Sequence, residues 1–492
     1  MKEPLMGRTK IFTSCLPVQM QQRGFVGFTL NRDTLPNELN HALMIQAKNR
    51  IEMRRLLDIF RGKQDILKRS SEDRLVNNMI PIPYPNAFTR QIVDCTYSNG
   101  IQFVQNDEKF MNDVQKINRF LRAENKLSFD KIMADEQSIY GTHFRGIFPD
   151  TIMADESPLE IYALNPFDTF VAYSTYNGSR PVYACTTYKA KLKTGEERYI
   201  HQIYTACEKF TYNSSSNLCV RTEEFVSEEP HILGEIPIIE YPNNEFRLGD
   251  WELAVGLMDA INDLASDSVN DVEQCVKSYL ALFGVEVDEE RIKQMRKDGI
   301  LAFPPIQGGG NQDAKFITAQ LDGASADLLR TYLENALRVV VGIPDRNSSG
   351  GGDTGTAIQN KNGWREIDAV AKSKTMYTEM AERRFLKIVL NILSPKYISN
   401  EITPLDVDIK IPRNKMENFQ SNTQAGSILY QMGVSKTDVA SLMDITTDTE
   451  GFVRRWEQAE KEKLQSSDSD PVARGGHSFT QPVQTSESSG AE

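Results

Sequence analysis

The sequence predicts an α+β fold that is mainly α-helical and contains one block rich in β-strands. Long stretches carry apolar residues three and four positions apart, which is the spacing of one helix face. A single block, residues 147–241, is instead rich in Tyr, Thr, Val and Phe and contains turn signals. With 492 residues, of which 40% are hydrophobic and 25% are charged, the chain is globular and long enough for more than one domain.

The charge balance and the cysteines exclude several function classes. The net charge of −12 argues against a protein that wraps the outside of nucleic acid, because neutralising phosphates requires Lys and Arg. The six cysteines form no CxxC pair, which argues against a zinc site and against a disulfide framework. There is no apolar run of about 18 residues and no basic-apolar leader, so we expect neither a membrane span nor a secretory signal peptide.

The N-terminal part combines an arm with several helices. Residues 1–42 show no sustained period, and we expect an arm that packs on another element or is partly disordered. Helical spacing follows and is interrupted by the proline-rich segment Ile80–Pro85. The predicted helices are Leu43–Arg69, Asn86–Tyr97 and Glu108–Tyr140, the last of them split near Asn125.

The block at 147–241 is predicted to be a β-rich insert in an otherwise helical protein. Polar and apolar residues alternate in Val182–Tyr188 and in Tyr199–Tyr204, as expected for half-buried strands. Turn signals, such as Asn177-Gly178 and Thr194-Gly195, separate these runs. Strands joined by short turns in this way predict an antiparallel meander.

After the insert, Trp251–Phe283 is predicted to be the longest uninterrupted helix. It carries an acidic stripe at strict i+4 spacing, formed by Asp259, Asp263, Asp267 and Asp271. Like charges at this spacing destabilise a helix by about 0.2–0.5 kcal/mol per pair. The stripe is therefore either an ordinary solvated face or a surface with another use, and the sequence leaves both interpretations open.

The remainder of the chain is predicted to be mostly helical, with short strands and a polar tail. From residue 465 onward, Ser, Gly, Gln and Asp dominate, which is typical of disorder. The predicted elements are a charged helix Asp288–Lys297, a strand Gly299–Pro304, helices Asp327–Val341 and Trp364–Leu393, a strand Val407–Pro412, and helices within Met416–Leu464.

The segment Gly342–Ala357 is the most informative part of the sequence. Pro344 removes a backbone donor, and the triplet Gly350–Gly352 offers no side chain to bury. Strong helix patterns lie on both sides of this segment. A polar, glycine-rich loop held between two helices usually contacts a partner and does not fill a core.

Searches for chemistry along the chain find no catalytic or metal-binding pattern. Neither Gly-Gly-Gly segment is followed by Gly-Lys-Ser/Thr, so a phosphate-binding P-loop is rejected. The five histidines are far apart, without HExxH or a Cys/His cluster, and no GxSxG elbow is present. We therefore expect no enzyme activity, no catalytic residue, no metal and no cofactor.

Several short segments, taken in order, resemble the portal proteins of tailed bacteriophages, the head–tail connectors, and among them the portals of long-tailed, siphophage-like viruses. Each segment is weak alone, but their order and spacing are specific, and the resemblance runs from about residue 45 to residue 463. The segments are Arg90–Asp94 with Tyr97–Gly100, Pro237–Asn244, Gly249–Glu252, Leu257–Asn262, Val341–Asp345 with Gly352–Ala357, and Lys372–Tyr377.

The resemblance implies a ring of about twelve subunits at one vertex of the capsid, around a channel for packaging and ejecting double-stranded DNA. It implies a fold with wing, stem, clip, crown and tunnel loop. The implied boundaries are an arm at 1–42, a wing at 43–249, a first stem helix at 250–283, a clip at 284–318, a second stem helix at 319–341, a tunnel loop at 342–357, a helix bridging wing and crown at 358–400, a crown at 401–464 and a disordered tail at 465–492.

The resemblance also implies which residues contact the DNA and the partners. The acidic stripe would face the channel or a neighbouring stem, and acidic walls would keep the DNA mobile. The DNA-facing residues of the tunnel loop would be Asp345, Arg346, Asn347, Ser348, Ser349, Gly350, Gly351, Gly352, Asp353 and Thr354. The docking residues of the clip would be Glu289, Arg291, Lys293 and Lys297.

The partners implied are further copies of the chain, double-stranded DNA, the large subunit of terminase, a head–tail adaptor, and the major capsid and scaffolding proteins. The protein would reside in the virion, at a capsid vertex, after assembly in the cytoplasm of the host bacterium. Two alternatives stay open: another structural protein of the capsid or tail, and a nucleotide-handling enzyme. A closed ring of about twelve copies would distinguish the portal from a monomeric or dimeric enzyme.

Overall fold

The computed structural model describes residues 34–468 with several gaps. The segments outside the description are 71–75, 98–99, 151–156, 175–179, 192–194, 277–278, 284–312, 318–322, 345–363, 395, 413–418, 437–438 and 441–448, together with residues 1–33 and 469–492. The chain divides into two compact units, Met1–Met416 and Glu417–Glu492.

Both units are built mainly of helices. In the first unit the helices are α1 Leu35–Phe60, α2 Tyr84–Tyr97, α3 Met111–Ala123, α4 Lys126–Tyr140, α5 Val255–Val276, α6 Gly323–Val341 and α7 Trp364–Leu393. In the second unit they are α8 Phe419–Gln431 and α9 Thr449–Asp468. Short 3₁₀ turns lie at Asp65–Lys68, Glu108–Phe110, Thr222–Glu224 and Glu252–Ala254.

Strands are concentrated in the block between α4 and α5. The strands are β1 Gln102–Gln105, β2 Thr142–Pro149, β3 Leu159–Leu164, β4 Thr169–Tyr173, β5 Pro181–Lys191, β6 Glu197–Tyr204, β7 Glu208–Ser214, β8 Phe225–Pro230, β9 Ile238–Pro242, β10 Tyr279–Phe283, β11 Asp313–Ile317 and β12 Val407–Lys410. The fold is thus α+β and mainly helical, as the sequence predicts.

The β-rich insert consists of two antiparallel sheets. Strands β4 to β8 pair in chain order, which confirms the predicted meander. A smaller sheet has the order β3-β2-β9 and starts at Thr142, before the predicted boundary at 147. Phe144, Tyr204 and Ile238 belong to a shared apolar cluster that joins the two sheets.

Helix α1 differs from its prediction at both ends. It begins at Leu35, so residues 35–42 belong to a helix and not to the arm, because Leu35 and Leu39 are fully buried against the larger sheet. It ends at Phe60, where the chain turns through Gly62 at φ +83°. Long-range burial at one end and a glycine turn at the other override the periodicity of the sequence.

The predicted long helix Trp251–Phe283 is wrong in its last turns. Helix α5 ends at Val276, and Tyr279–Phe283 forms strand β10, paired with β11 in antiparallel register from Tyr279–Ile317 to Phe283–Asp313. Residues such as Tyr, Leu and Phe fit a helix stripe or a strand equally well over a short run. The choice between helix and strand depends on the pairing partner β11, which lies about thirty residues further along the sequence.

Other helix predictions are confirmed or extended. Helix α7 has the predicted bounds, and the predicted split near Asn125 is present, with that residue left-handed at φ 53°. Helices α2 and α6 begin earlier than predicted, at Tyr84 and Gly323, and α9 runs to Asp468, beyond the predicted start of the tail. No helix in the described segments is long and apolar enough to cross a membrane.

Two cores of the first unit position its long helices. In the larger core, Phe385 and Val389 of α7 pack against α3, α4 and the smaller sheet. Both side chains are fully buried. A second core joins α1, α2, α5 and α6 around the fully buried Trp251. In the second unit, α8 and α9 contact each other through Tyr430 and Trp456, whose ring centroids are 5.2 Å apart.

Candidate functional site: the helix pair at the base of the predicted tunnel loop

Two of the three predicted groups of site residues lie outside the described residues. Asp345 to Thr354 of the tunnel loop fall in segment 345–363, and the clip residues Glu289, Arg291, Lys293 and Lys297 fall in segment 284–312. Their roles stay predictions. The structure does describe the acidic stripe and the base on which the loop is mounted.

Two aspartates of the acidic stripe on α5 are exposed to solvent, and the other two lie against other segments of this chain. Asp263 and Asp271 are exposed. Asp267 accepts a hydrogen bond from Arg69 at 2.6 Å, and Asp259 is half-buried beside the turn that contains Lys68. The 3.6-residue period makes residues at i+4 drift around the helix, so the stripe does not share one environment. Whether it faces a channel or a neighbouring copy stays a prediction.

A polar ladder on the buried face of α5 was missed by the sequence analysis. The side-chain oxygens of Asn262, Ser266 and Asn270 accept hydrogen bonds from the backbone N–H groups of Ile82, Ile80 and Asn78, at 3.0, 3.0 and 2.7 Å respectively. All three polar side chains are buried in this contact. The extended segment Asn78–Ile82, which we call the strap, therefore lies along the helix.

The spacing of this ladder follows from backbone geometry. Four residues of helix rise about 6.0 Å, and two residues of extended chain span about 6.6 Å. Side chains at i, i+4 and i+8 can therefore meet every second N–H of an antiparallel extended segment. The sequence signal was present as three polar residues at i+4, each directly after an apolar residue, but it does not identify the partner.

Glutamine and asparagine side chains close the two ends of the ladder. Gln64 Nε2 donates to the Ile82 carbonyl at 2.7 Å, and Asn262 Nδ2 donates to Gln64 Oε1. At the other end, Asn78 Nδ2 donates to Glu273 Oε2 at 2.8 Å. These side-chain hydrogen bonds at its two ends fix the strap to the helix that precedes β10.

The N-terminal base of the predicted tunnel loop is rigidly capped. Gly342 has φ +74°, and the N–H groups of Gly342 and Ile343 both donate to the Arg338 carbonyl, at 2.8 and 3.0 Å. A Cβ atom at Gly342 would lie 2.9 Å from Val370 Cγ2 on α7. Ile343 and Pro344 are buried, so the chain stays anchored in the core up to residue 344.

Helix α7, which follows the loop, is held by a buried ionic network that the sequence analysis did not predict. Arg145 donates to Asp130 and to Glu382, both at 2.8 Å, and Lys126 donates to Asp130 at 2.9 Å. Tyr241 donates to Glu382 at 3.0 Å. The network joins α4, β2 and β9 to α7, and it contains two cations and two carboxylates.

The charges of this network depend on one another. Burial by itself would raise the pKa of Asp130, but Lys126 and Arg145 together lower it below its ordinary value. Burial acts to lower the pKa of Arg145, and Tyr241, Asp130 and Glu382 outweigh it, so this pKa is raised. Removing one partner would therefore leave the others charged in a dry interior.

Further polar contacts hold the first half of α7. Lys374 Nζ donates to Asp250 at 2.7 Å, and both side chains are buried. The Tyr97 hydroxyl lies 2.6 Å from Thr378 Oγ1, and burial raises the pKa of Tyr97. The described residues bring together no group of three or more His, Cys, Asp or Glu that could hold a metal ion.

Comparisons with known proteins identify relatives of this chain. The sequence model of the family described as "Phage portal protein, SPP1 Gp6-like" matches residues 40–470. The chain is 22% identical over 305 residues to the "Portal protein" of Bacillus phage SPP1. That match covers 59% of this chain and 58% of the relative, so the chain spans somewhat more than half the length of this curated relative.

Proposed function

Because the chain belongs to the family of SPP1 Gp6-like phage portal proteins, we propose that it forms the channel through which double-stranded DNA enters and leaves the capsid. The portal family is structural and not enzymatic, and membership in it supports an oligomeric ring associated with the phage capsid. A ring of about twelve copies, passage of DNA through it, and docking of packaging and tail proteins are the specific parts of the proposal.

The outward face of α6 supports assembly into a ring. Leu328, Tyr332 and Val339 lie on one side of this helix and are 74%, 69% and 81% exposed in a single copy. A row of large apolar side chains on a helix is typical of a surface that another protein covers. A head-to-tail contact repeated around a closed ring would bury this row in every copy.

The mount of the loop supports a role at the channel. The loop begins directly after the buried pair Ile343 and Pro344 and returns at α7, which the ionic network holds in place. In a ring, such loops would surround the axis once per copy. Arg346 is the single cation among residues 342–357 of the sequence, so each loop would touch the DNA phosphates weakly and let the duplex slide.

The remaining surfaces would serve partners. We assign the segment containing Glu289, Arg291, Lys293 and Lys297 to docking of the terminase large subunit and, later, of the head–tail adaptor. The major capsid and scaffolding proteins would contact the ring from outside. Assembly would take place in the host cytoplasm, and the finished ring would stay at one vertex of the virion.

The experiment that tests the ring is a measurement of particle mass together with negative-stain images. We expect closed rings of about twelve copies. The variant Leu328→Asp should lower the yield of rings, whereas Leu405→Asp is the matched control, because Leu405 is 81% exposed but lies outside α6. A monomer or dimer under every condition, or equal loss of rings in both variants, would contradict the proposal.

A further inference from the structure

An aromatic groove lies where the two sheets of the β-rich insert diverge. It has a volume of about 500 Å³ and is lined by β2 and β3 on one side and by β5 and β6 on the other. Phe148 lies 5.5 Å from Tyr204 and 6.1 Å from Tyr162, measured between ring centroids. Tyr162 and Tyr188 are 45% and 44% exposed at its mouth.

A glycine beside the groove, Gly146, leaves room for the Phe148 ring that lines it. Gly146 is directly opposite Tyr162 in the β2–β3 ladder, and Phe148 is opposite Glu160, so these four positions share one face of the sheet. A Cβ atom at Gly146 would lie 2.9 Å from the Phe148 ring. A larger residue at this position would therefore push the ring into the space that the groove occupies.

The rim of the groove is acidic. Glu160 accepts a hydrogen bond from the Tyr162 hydroxyl at 2.5 Å. The hydrogen bond to Glu160 raises the pKa of Tyr162 to about 12, and the charges of Asp150 and Glu124 act in the same direction. Lys189, a basic residue of the lining, is paired with Glu197 at 2.6 Å.

The N-terminal segment of the chain has the complementary composition. It precedes α1, and its sequence is basic although the whole chain carries a net charge of −12. Within it, Arg23 and Phe25 are two positions apart, so an extended conformation would place both side chains on the same face. The charged residues of segment 1–33 are Lys2, Arg8, Lys10, Arg23 and Arg32, against Glu3 and Asp33.

The spacing and the reach of this segment both fit the groove. Glu160 and Tyr162 are also two positions apart on β3, about 6.6 Å along the strand, so an arginine and a phenylalanine at i and i+2 can meet both. Helix α1 begins on the opposite face of the larger sheet, where Leu35 packs against Phe210. The ten residues from Phe25 to Leu35 span up to about 35 Å, more than the width of five strands, about 19 Å.

We propose that the aromatic groove binds residues 1–33 of this chain, with the Phe25 ring seated among Phe148, Tyr162 and Tyr204 and the Arg23 guanidinium beside Glu160. The guanidinium also stacks on aromatic faces, so the two side chains use the rings and the carboxylate together. This contact would require neither the ring nor DNA, and it would give the N-terminal segment a defined binding site.

The first test is the rate at which trypsin cleaves the full-length protein after Arg23. Cleavage requires the undocked arm, so the rate follows the population of the open form. Tyr162→Ala should raise the rate about tenfold and Glu160→Gln about threefold. The matched controls are Phe246→Ala and Glu228→Gln, which change an exposed aromatic residue and an exposed carboxylate outside the groove. Equal rates in the groove variants and the controls would overturn the proposal.

A second measurement guards against a groove variant that simply misfolds. A photo-reactive benzoylphenylalanine at position 25 of the otherwise unchanged full-length chain should cross-link to peptides that contain Tyr162 or Tyr188, identified by mass spectrometry. The cross-link should disappear when Gly146→Val pushes the Phe148 ring into the groove. Cross-links confined to other surfaces, or to other proteins, would mean that the groove has a different occupant and would refute the assignment.

Discussion

The polar ladder of α5 makes a sharp prediction for Ser266→Ala. The substitution removes the acceptor of the Ile80 N–H, which lies 3.0 Å from Ser266 Oγ, and it changes little else in volume. A partly buried donor left without its partner costs about 1–2 kcal/mol, which corresponds to about a five- to thirtyfold larger opening constant of the strap. We therefore expect the Ile80 amide to exchange with solvent faster by this factor in hydrogen–deuterium exchange.

The helix supplies its own control for this experiment. Ser268 is two positions further, and its hydroxyl donates to the Leu264 carbonyl of the same helix at 2.8 Å, much as Ser266 donates to Asn262 at 2.7 Å. Ser268→Ala removes the same group from the same helix without touching the strap. If both variants leave exchange at Ile80 equally slow, or speed it equally, the ladder does not hold the strap and the reasoning fails.

Three further predictions concern the base of the loop and the ionic network. Gly342→Ala should destabilise the first unit by about 1–3 kcal/mol in chemical unfolding, because an alanine at positive φ is strained, whereas Gly256→Ala in the open first turn of α5 should stabilise it by about 0.5–1 kcal/mol. Arg145→Met should cost about 3–5 kcal/mol, against at most about 1 kcal/mol for the exposed Lys131→Met, because it leaves buried carboxylates unpaired. The pKa of Asp130 is lowered in the folded protein, so its stabilisation is present above the ordinary value of 3.8 and is lost as the pH falls through the folded value. The acid-unfolding midpoint of Arg145→Met should therefore move to higher pH, and an unchanged midpoint would contradict the assignment.

The strap, the cap at Gly342 and the ionic network share one mechanical consequence. The strap fixes α5, the helix that leads toward the segment predicted to be the clip. The cap at Gly342 and the ionic network fix the two flanks of the predicted tunnel loop. Each consists of hydrogen bonds between buried groups, and a rearrangement would break those hydrogen bonds. A loop is positioned by the scaffold that carries it, so these contacts would set the position of the predicted tunnel loop at its base.

The sequence by itself determined the features that local signals encode. The bounds of α7, the break at Asn125 and the meander follow from periodicity and turn residues, which act between near neighbours in the chain. The absence of any catalytic or nucleotide-binding motif, together with the order of the short portal-like segments, pointed to the family that the comparisons show. The domain boundaries and the residues of the loop and clip stay predictions.

Only the tertiary structure decided the features that depend on distant partners. Tyr279–Phe283 is a strand because β11 is available to pair with it, and α1 starts at Leu35 because the larger sheet buries that residue. In the same way, Arg145 becomes the centre of a buried network only when α7 brings Glu382 to it across more than two hundred residues. Side-chain spacing in a sequence shows which groups share a face, and the burial that stabilises them is set by what the rest of the chain places against that face.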